Sequence, residues 1–154
     1  MKPWLLLMLA IAAGCAEYQP HDTLAQAQSS ANTPPLYVLP REVLEKQWQW
    51  VGGTSGGTNL SVAEPARYTI RFTLEGRIEV RADCNRGVGS YTVLAQQGLS
   101  LGPLALTRAL CLPGSQSEQF IQMLTSARSY TLQDGHLRLT LPQNTGEMRF
   151  DQGR

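Results

Sequence analysis

Seven residues in two short blocks carry the side chains best suited to chemistry or binding. They are Cys84, Asn85, Arg86 and Tyr91 in the first block, and Thr107, Arg108 and Cys111 in the second. Nucleophilic catalysis by a cysteine or a serine needs a neighbouring base, which is usually histidine. The chain has 2 histidines, His21 and His136, and the sequence around them predicts a linker and a turn. We therefore expect that the protein is not an enzyme.

The charged residues of these blocks allow one binding role and one structural role. Arg86 and Arg108 occupy similar positions in the two blocks. If the blocks meet, the two guanidinium groups form a small anion site, or each pairs with Asp83 or a backbone carbonyl; we favour the structural alternative. Asp83 itself is expected to hydrogen-bond to the backbone as a loop residue. No Cys-x-x-Cys or phosphate-binding motif is present, so we expect no metal ion and no cofactor.

The N-terminal residues predict export and attachment to a lipid. A positive charge precedes an apolar run at 5–11, and small residues at 12–14 lead to Cys15. This order is that of a signal peptide, and small residues ending at a cysteine resemble the bacterial lipobox. We therefore predict a lipoprotein signal peptide at 1–14 and a lipid, detectable as palmitate, on Cys15. An ordinary signal peptide cut near Ala16 is the alternative.

The predicted lipid determines the compartment and the partners. Alanine rather than aspartate follows Cys15, which resembles sorting to the periplasmic face of the outer membrane. In that oxidising compartment Cys84 and Cys111 remain as a pair, and we predict a structural disulfide between them. Loss of Lys2 with the signal peptide leaves 12 of the 13 basic residues against 12 acidic ones, so no net charge favours nucleic acid. We expect a monomer that contacts the membrane through its lipid.

The mature chain divides into a tether and one domain. Residues 15–43 are mostly small and polar, with several prolines, and predict a flexible tether. The apolar run at 36–39 is either a docking segment against the domain or part of the linker. Residues 44–154 are enough for one domain with a modest core.

Alternation of apolar and polar residues predicts short antiparallel strands in this domain. The clearest runs are 68–74 and 78–82, which a short glycine-containing turn joins into a hairpin. The alternation places Cys84 on the buried face and Asp83 on the solvated face. The glycine-rich stretch 52–59 is predicted to be a flexible loop.

One helix is predicted late in the chain. Residues 115–118 have the sequence of a capping box, and Phe120 and Leu124 follow with helical spacing. Short apolar runs on both sides of this helix predict further strands. The fold class is therefore mainly β: an antiparallel curled sheet or small β-barrel of about 7–9 short strands with one late α-helix.

The order of these landmarks resembles the META/HslJ-like family of small bacterial envelope proteins. The resemblance covers about residues 44–151 and rests on Cys-Asn-Arg at 84–86, Gly-Ser-Tyr at 89–91 and the Thr-Arg…Cys block at 107–111. Asp83 and Gly87 depart from the family pattern, in which a glycine and a larger residue are usual. The resemblance implies a role in tolerance of heat or drug stress, through contact with an envelope protein or a small ligand, and no agreed catalytic activity.

Two other functions fit a small disulfide-bonded β lipoprotein. The first is inhibition of an external hydrolase such as lysozyme, which needs an exposed loop that enters a cleft; the stretch 52–59 is the candidate loop. The second is transport of a small ligand inside a lipocalin-like barrel, which needs a hollow interior. A packed interior is the default for strands this short.

Overall fold

The structure, a computed structural model, describes residues 36–153. These residues contain ten β-strands and one α-helix. The strands are β1 (Trp48–Ser55), β2 (Thr58–Ser61), β3 (Tyr68–Phe72), β4 (Arg77–Ala82), β5 (Asn85–Leu94), β6 (Gly98–Leu101), β7 (Ala105–Leu106), β8 (Ser129–Gln133), β9 (His136–Thr140) and β10 (Gly146–Gln152). The helix, α1, is Ser117–Ser126, and short 3-10 helices span Pro65–Arg67 and Pro142–Asn144.

Eight of these strands close into an antiparallel barrel. Their order around the ring is β1, β3, β4, β5, β6, β8, β9 and β10, and β10 pairs back onto β1. The two remaining strands lie outside the ring, where β2 pairs with β1 and β7 pairs with β5. Closure removes the unpaired edges that an open sheet exposes to other chains. The structure therefore confirms the predicted mainly β fold with one late helix.

Large apolar side chains fill the barrel interior. Those less than 2 % exposed include Trp48, Trp50, Phe72, Ile78, Leu99, Leu137, Met148 and Phe150. They come from the inward face of each strand, because successive side chains of a strand point to opposite faces. The ring of Phe120 from α1 lies 5.3 Å from that of Trp50 and 5.7 Å from that of Tyr68. Within residues 36–153 the interior is therefore a packed core rather than a ligand cavity.

The packed domain begins before the predicted boundary at residue 44. Leu39 is 2 % exposed and Val43 is fully buried, so both belong to the core. Leu36 and Val38, by contrast, are exposed. Of the two roles left open for this apolar run, docking against the domain is correct for Leu39.

The glycine-rich stretch 52–59 is a β-hairpin and not the predicted flexible loop. Gly52 and Gly53 lie in β1 with φ angles of +141° and +155°. A β-carbon on Gly52 would lie 2.3 Å from the Leu60 carbonyl oxygen, and one on Gly53 would lie 1.9 Å from that of Glu147. Strands β2 and β10 therefore approach β1 more closely than a residue with a side chain allows. The prediction failed because glycine required for close strand approach has the same local signature as glycine in a loop.

A two-residue turn at Asp83 and Cys84 reverses the faces predicted for these residues. Strand β4 ends at Ala82, β5 starts at Asn85, and Asp83 adopts a φ angle of +60°. The alternation of β4 consequently stops at Ala82, which leaves Asp83 buried, with 3 % exposure, and Cys84 exposed. Placing Cys84 on the buried face and Asp83 on the solvated face was therefore wrong.

Helix α1 is present as predicted, but its capping box is not formed. The N-cap residue is Gln116, whose side chain makes no capping hydrogen bond. Instead, the Gln116 backbone N donates to the Tyr68 hydroxyl at 2.9 Å, and the Ser115 hydroxyl accepts from the backbone N of Ser117 at 3.2 Å. Ser115 therefore accepts from the start of the helix as predicted, whereas the backbone N of Ser115, which Glu118 was expected to bind, donates to the Leu112 carbonyl at 3.2 Å instead.

Candidate functional site at the disulfide end

The barrel has two chemically different ends. The register of β3 with β4 pairs Phe72 with Ile78 beside one turn, and Tyr68 with Ala82 beside the other. We name the first the entry end, because residues 36–44 join the barrel there through a bridge to Phe72. The second is named the disulfide end, and the two motif blocks meet there.

The Cys84–Cys111 disulfide joins the β4–β5 turn to residues 107–114, a segment named the disulfide loop. The two Cα atoms are 5.5 Å apart, within the usual range for a disulfide. Cys84 is exposed and Cys111 is half-buried. The structure therefore contains the predicted pairing, but at the surface of the domain instead of within its apolar core.

The side-chain amide of Asn85 holds the disulfide loop at a second point, an arrangement named the Asn85 clamp. Its Oδ1 accepts from the Thr107 hydroxyl at 3.0 Å and from the Ala109 backbone N at 2.8 Å. Its Nδ2 donates to the Ala109 carbonyl at 3.1 Å. The Thr107 hydroxyl oxygen also accepts from the backbone N of Arg86 at 3.0 Å. One side chain thus satisfies backbone groups that no strand pairs.

A surface groove of about 720 Å³ separates the disulfide loop from helix α1. Its lining is mixed: Leu106, Leu112 and Ile121 are apolar, and Asn85, Glu118 and Gln122 are polar. The groove is open to solvent at the same end of the barrel as the disulfide. It is therefore a surface on which a partner could lie, formed by parts of the chain that the disulfide and the Asn85 clamp fix in place.

Two leucines of the disulfide loop project into solvent. Leu110 is fully exposed, at 101 %, and Leu112 is 76 % exposed. A single exposed leucine is common on a protein surface. These two, however, flank Cys111, whose position the disulfide fixes. Sequence reasoning missed them because it searched for polar and charged groups; leucines on both sides of a disulfide-bonded cysteine were the available signal.

The family of the chain follows from a comparison with known domains. A family model described as the META domain matches residues 42–153, more than two thirds of the chain. The chain belongs to the META domain family. This confirms the resemblance inferred from the two motif blocks.

Two solved structures are similar to this META domain. The NMR structure of a protein from Burkholderia xenovorans is 24 % identical and covers 79 % of this chain and 95 % of its own, with a TM-score of 0.59. The crystal structure of a DUF4847 family protein from Bacteroides vulgatus is 12 % identical and covers 71 % and 93 %, with a TM-score of 0.51. At these identities the similarity shows the fold alone. No curated protein matches the chain.

One alternative expected the two motif arginines of this META domain to pair with Asp83, but neither of them does so. Asp83 points inward and forms an ion pair with Arg67, whose Nε donates to Asp83 Oδ1 at 2.7 Å. Within residues 36–153, neither Arg86 nor Arg108 forms a salt bridge. Arg86 contributes to the site through its backbone, which pairs with Thr107. The anion-site alternative stays a prediction.

Tyr91 belongs to the entry end and not to the candidate site. Its hydroxyl donates to the Thr73 carbonyl at 2.8 Å, and its ring packs edge-on against Phe72 with centroids 5.0 Å apart. Burial raises the pKa of Tyr91, which keeps the hydroxyl a neutral donor. Its contacts fasten β5 to the β3–β4 turn, a structural role.

Asp83 is the buried charge that ties the elements of the disulfide end together. Besides its ion pair, its backbone N donates to the Arg67 carbonyl at 2.7 Å. The Ser117 hydroxyl donates to the Ala82 carbonyl at 3.0 Å, which brings the start of α1 beside the same turn. The hydroxyl of Ser115 and the guanidinium of Arg67 lower the pKa of Asp83 against the opposing effect of burial.

Replacing Asp83 with asparagine should destabilise the domain by about 1–2 kcal/mol at neutral pH, because Arg67 loses a charge-assisted hydrogen bond. The folded-state pKa of Asp83 lies below the unfolded value of about 3.9. Its stabilising effect is therefore complete above roughly pH 5 and is lost as the pH falls through the folded pKa. Urea unfolding between roughly pH 7 and pH 3 should show a steeper acid loss of stability in the wild type than in Asp83→Asn.

The matched control is Glu64→Gln, which removes the exposed partner of the same arginine, Arg67. Exposed ion pairs contribute little to stability, so this variant should keep the acid profile of the wild type. A wild-type profile in Asp83→Asn would contradict the role assigned to the buried carboxylate.

Residues 36–153 contain no helix long and apolar enough to cross a membrane. The same residues hold no group of three or more histidine, cysteine, aspartate or glutamate side chains suited to a metal ion. His136 pairs with Asp151 at the surface, with 2.7 Å between Nδ1 and Oδ1. The predictions for residues 1–14, Cys15 and His21 lie outside the described residues.

Proposed function

We propose that this META domain protein is an outer-membrane lipoprotein that supports tolerance of heat or drug stress by contact, without catalysis. The lipid on Cys15 attaches the chain to the membrane, and the domain faces the periplasm. Its partner is an envelope protein or a small ligand. The order of the N-terminal residues supports the anchor, and membership of the META domain family supports the envelope role.

The contact role is supported by the hydrogen bonds that the motif side chains make within the protein. Asn85 directs both ends of its amide to the backbone and side chains of the disulfide loop, and Thr107 bonds to Asn85 and Arg86. The side chains of Asn85 and Thr107 are thus both occupied by hydrogen bonds within the protein. The loop that they hold exposes apolar side chains beside a groove of about 720 Å³. A fixed surface without an activated nucleophile supports binding rather than chemistry.

Of the other two functions, inhibition of a hydrolase is still supported, but by a different loop from the predicted stretch 52–59. Most of the stretch 52–59 is paired in β1 and β2, and only Gly56 and Gly57 form the turn. The disulfide loop, which exposes Leu110 and Leu112, is a better candidate. A lipocalin-like carrier loses support, because rings such as those of Trp50 and Phe120 fill the interior.

Replacing Cys15 with alanine should abolish labelling by radioactive palmitate and move the protein from the membrane fraction to the soluble fraction. Because the domain then leaves its site of action, this variant should also fail to restore stress survival to cells that lack the gene. Labelling, fractionation and colony counts after heat or drug exposure measure the three effects. Unchanged labelling would rule out Cys15 as the lipid site.

The control for the absence of catalysis is the double variant His21→Ala, His136→Ala. It removes both histidines of the chain and should keep palmitate labelling and stress survival, because the proposal gives neither ring a reactive role. Loss of survival in a variant that still folds would contradict the non-catalytic part of the proposal.

A further inference from the structure

Two arginines lie directly opposite each other on the outer face of the barrel. The register of β4 with β5 pairs Arg81 with Arg86. Arg81 points outward because its neighbours Val80 and Ala82 are buried in the core, and Arg86, as its cross-strand partner, shares that face. The β-carbons of such partners are about 4.5–5.5 Å apart, and like charges placed this way destabilise a sheet. The Arg81–Arg86 pair therefore costs stability unless a negative charge lies between the two guanidinium groups.

A second pair of opposed arginines shows how the same sheet offsets this cost. Arg138 of β9 lies opposite Arg149 of β10. The Glu147 carboxylate contacts both of them, because its Oε1 is 3.2 Å from Arg138 Nη1 and 3.9 Å from Arg149 Nε. Within residues 36–153, neither Arg81 nor Arg86 contacts a carboxylate. The first pair thus lacks the negative charge that the second pair has.

A cavity beside the Arg81–Arg86 pair adds further polar groups. Its volume is about 340 Å³, which lies within the size range of small-molecule sites. Thr69 lies opposite Arg81 on the other side and is 5 % exposed. The Thr69 hydroxyl accepts from Gln47 Nε2 at 3.4 Å, so its own hydrogen is available to donate to a ligand. The polar lining of the cavity consists of Gln47, Thr69, Arg71, Glu79, Arg81 and Arg86.

The positive charge of the pair is available inside this cavity. Glu79 supplies the carboxylate of the lining, but its Oε2 lies 3.3 Å from Arg71 Nη1 and is engaged there. In the part of the chain that the structure describes, the Arg81 side chain donates one hydrogen bond, from Nε to the Asp83 carbonyl at 3.4 Å. Its terminal nitrogens and the guanidinium of Arg86 can therefore donate to a bound anion.

We propose that the Arg81–Arg86 pair binds a phosphate dianion, either as the free ion or as the phosphomonoester of a small molecule. A guanidinium group donates two parallel hydrogen bonds to phosphate oxygens. A phosphomonoester carries a charge of about −1.5 to −2 at pH 7, which balances two arginines, whereas a carboxylate or a phosphodiester carries one charge and leaves half of the positive charge unbalanced. This inference rests on the proposed contact role and names the chemical class of a small ligand.

The test is isothermal titration calorimetry of the purified mature protein in a neutral detergent, at neutral pH and constant ionic strength. The wild type should bind inorganic phosphate or glycerol 3-phosphate at one site, and the tighter of the two identifies the ligand as the free ion or as a phosphomonoester. Acetate and dimethyl phosphate, which carry one charge each, should bind at least roughly tenfold more weakly.

Arg81→Gln and Arg86→Gln should each weaken phosphate binding at least roughly tenfold. In phosphate-free buffer both variants should melt at the temperature of the wild type or higher, because each removes one of two opposed like charges. Loss of binding is thereby separated from loss of folding. The matched control is Arg149→Gln, which changes the pair that Glu147 already neutralises. Arg108→Gln is the second control, and both controls should bind phosphate like the wild type.

A wild type that binds neither phosphate compound, or unchanged binding in Arg81→Gln and Arg86→Gln, would overturn the inference. Acetate or dimethyl phosphate bound as tightly as phosphate would also overturn it. The same holds if Arg108→Gln lost binding and Arg81→Gln did not, because the anion would then lie between Arg86 and Arg108. Palmitate labelling and stress survival of Cys15→Ala test the proposed function separately, so failure here leaves that proposal standing.

Discussion

Replacing either disulfide cysteine with serine should lower the free energy of unfolding by about 3–4 kcal/mol and the melting temperature by roughly 10–15 °C. Cys84 and Cys111 are 27 positions apart, and closing a loop of that size removes much conformational entropy from the unfolded chain. A domain of this kind has a total stability of about 5–15 kcal/mol, so the loss is a large part of it. Thermal and urea unfolding followed by circular dichroism measure the effect.

The surface position of the disulfide determines how much stability each cysteine-to-serine variant loses relative to the others. Because Cys84 is exposed and Cys111 is half-buried, a freed thiol does not face the apolar core. Cys84→Ser, Cys111→Ser and the double variant should therefore lose similar amounts of stability. Cys15→Ser makes the same substitution outside the pair and is the matched control. Mass spectrometry of alkylated, non-reduced protein from the envelope gives an independent check, and alkylation of both Cys84 and Cys111 would contradict the disulfide.

The fold was predictable where the pattern of neighbouring residues is sufficient to specify the structure. Alternation in the β3–β4 region predicted a hairpin, and the structure pairs Tyr68 through Phe72 with Ala82 through Ile78. The apolar side of α1 likewise appeared in the spacing of Phe120 and Leu124, which are both buried. In each case one face of the element is buried, so the spacing of apolar residues along the sequence predicts the element.

Features that depend on distant parts of the chain were not predictable. Gly53 is required by the approach of Glu147, 94 residues further along, and nothing local distinguishes it from a loop glycine. Asp83 becomes buried because a tight turn ends the alternation and Arg67 supplies its counter-ion. The sequence contains both residues, but not the turn geometry that brings them together.

The candidate site likewise has some features that the local sequence predicts and others that depend on distant parts of the chain. The expectation of an oxidising compartment was enough to predict the pairing of Cys84 with Cys111, and the motif blocks singled out Asn85. The clamp itself could not be inferred, because it joins Asn85 to Ala109 across 24 positions. The exposure of Leu110 follows only from that geometry, since a leucine beside a cysteine is as common in a core as at a surface.

Replacing Phe120 with alanine should cost about 3–5 kcal/mol of stability, because it leaves a cavity in the aromatic cluster that joins α1 to the barrel. The Phe120 ring is fully buried and contacts Trp50, Tyr68 and Phe150, with centroids 5.3, 5.7 and 6.3 Å away. Since α1 forms one wall of the groove, the same change should weaken whatever the groove binds. Urea unfolding measures the loss of stability.

Two controls separate packing in the core from the shape of the groove. Phe120→Leu keeps most of the apolar volume and should cost about 1 kcal/mol. Ile121→Ala changes the next residue of α1, which is half-buried and lines the groove, so it should alter binding with less than half the loss of stability. If Phe120→Ala proved as stable as Ile121→Ala, the helix would not be fastened to the barrel through Phe120, and the groove would lack the rigid wall that a pre-formed binding surface requires.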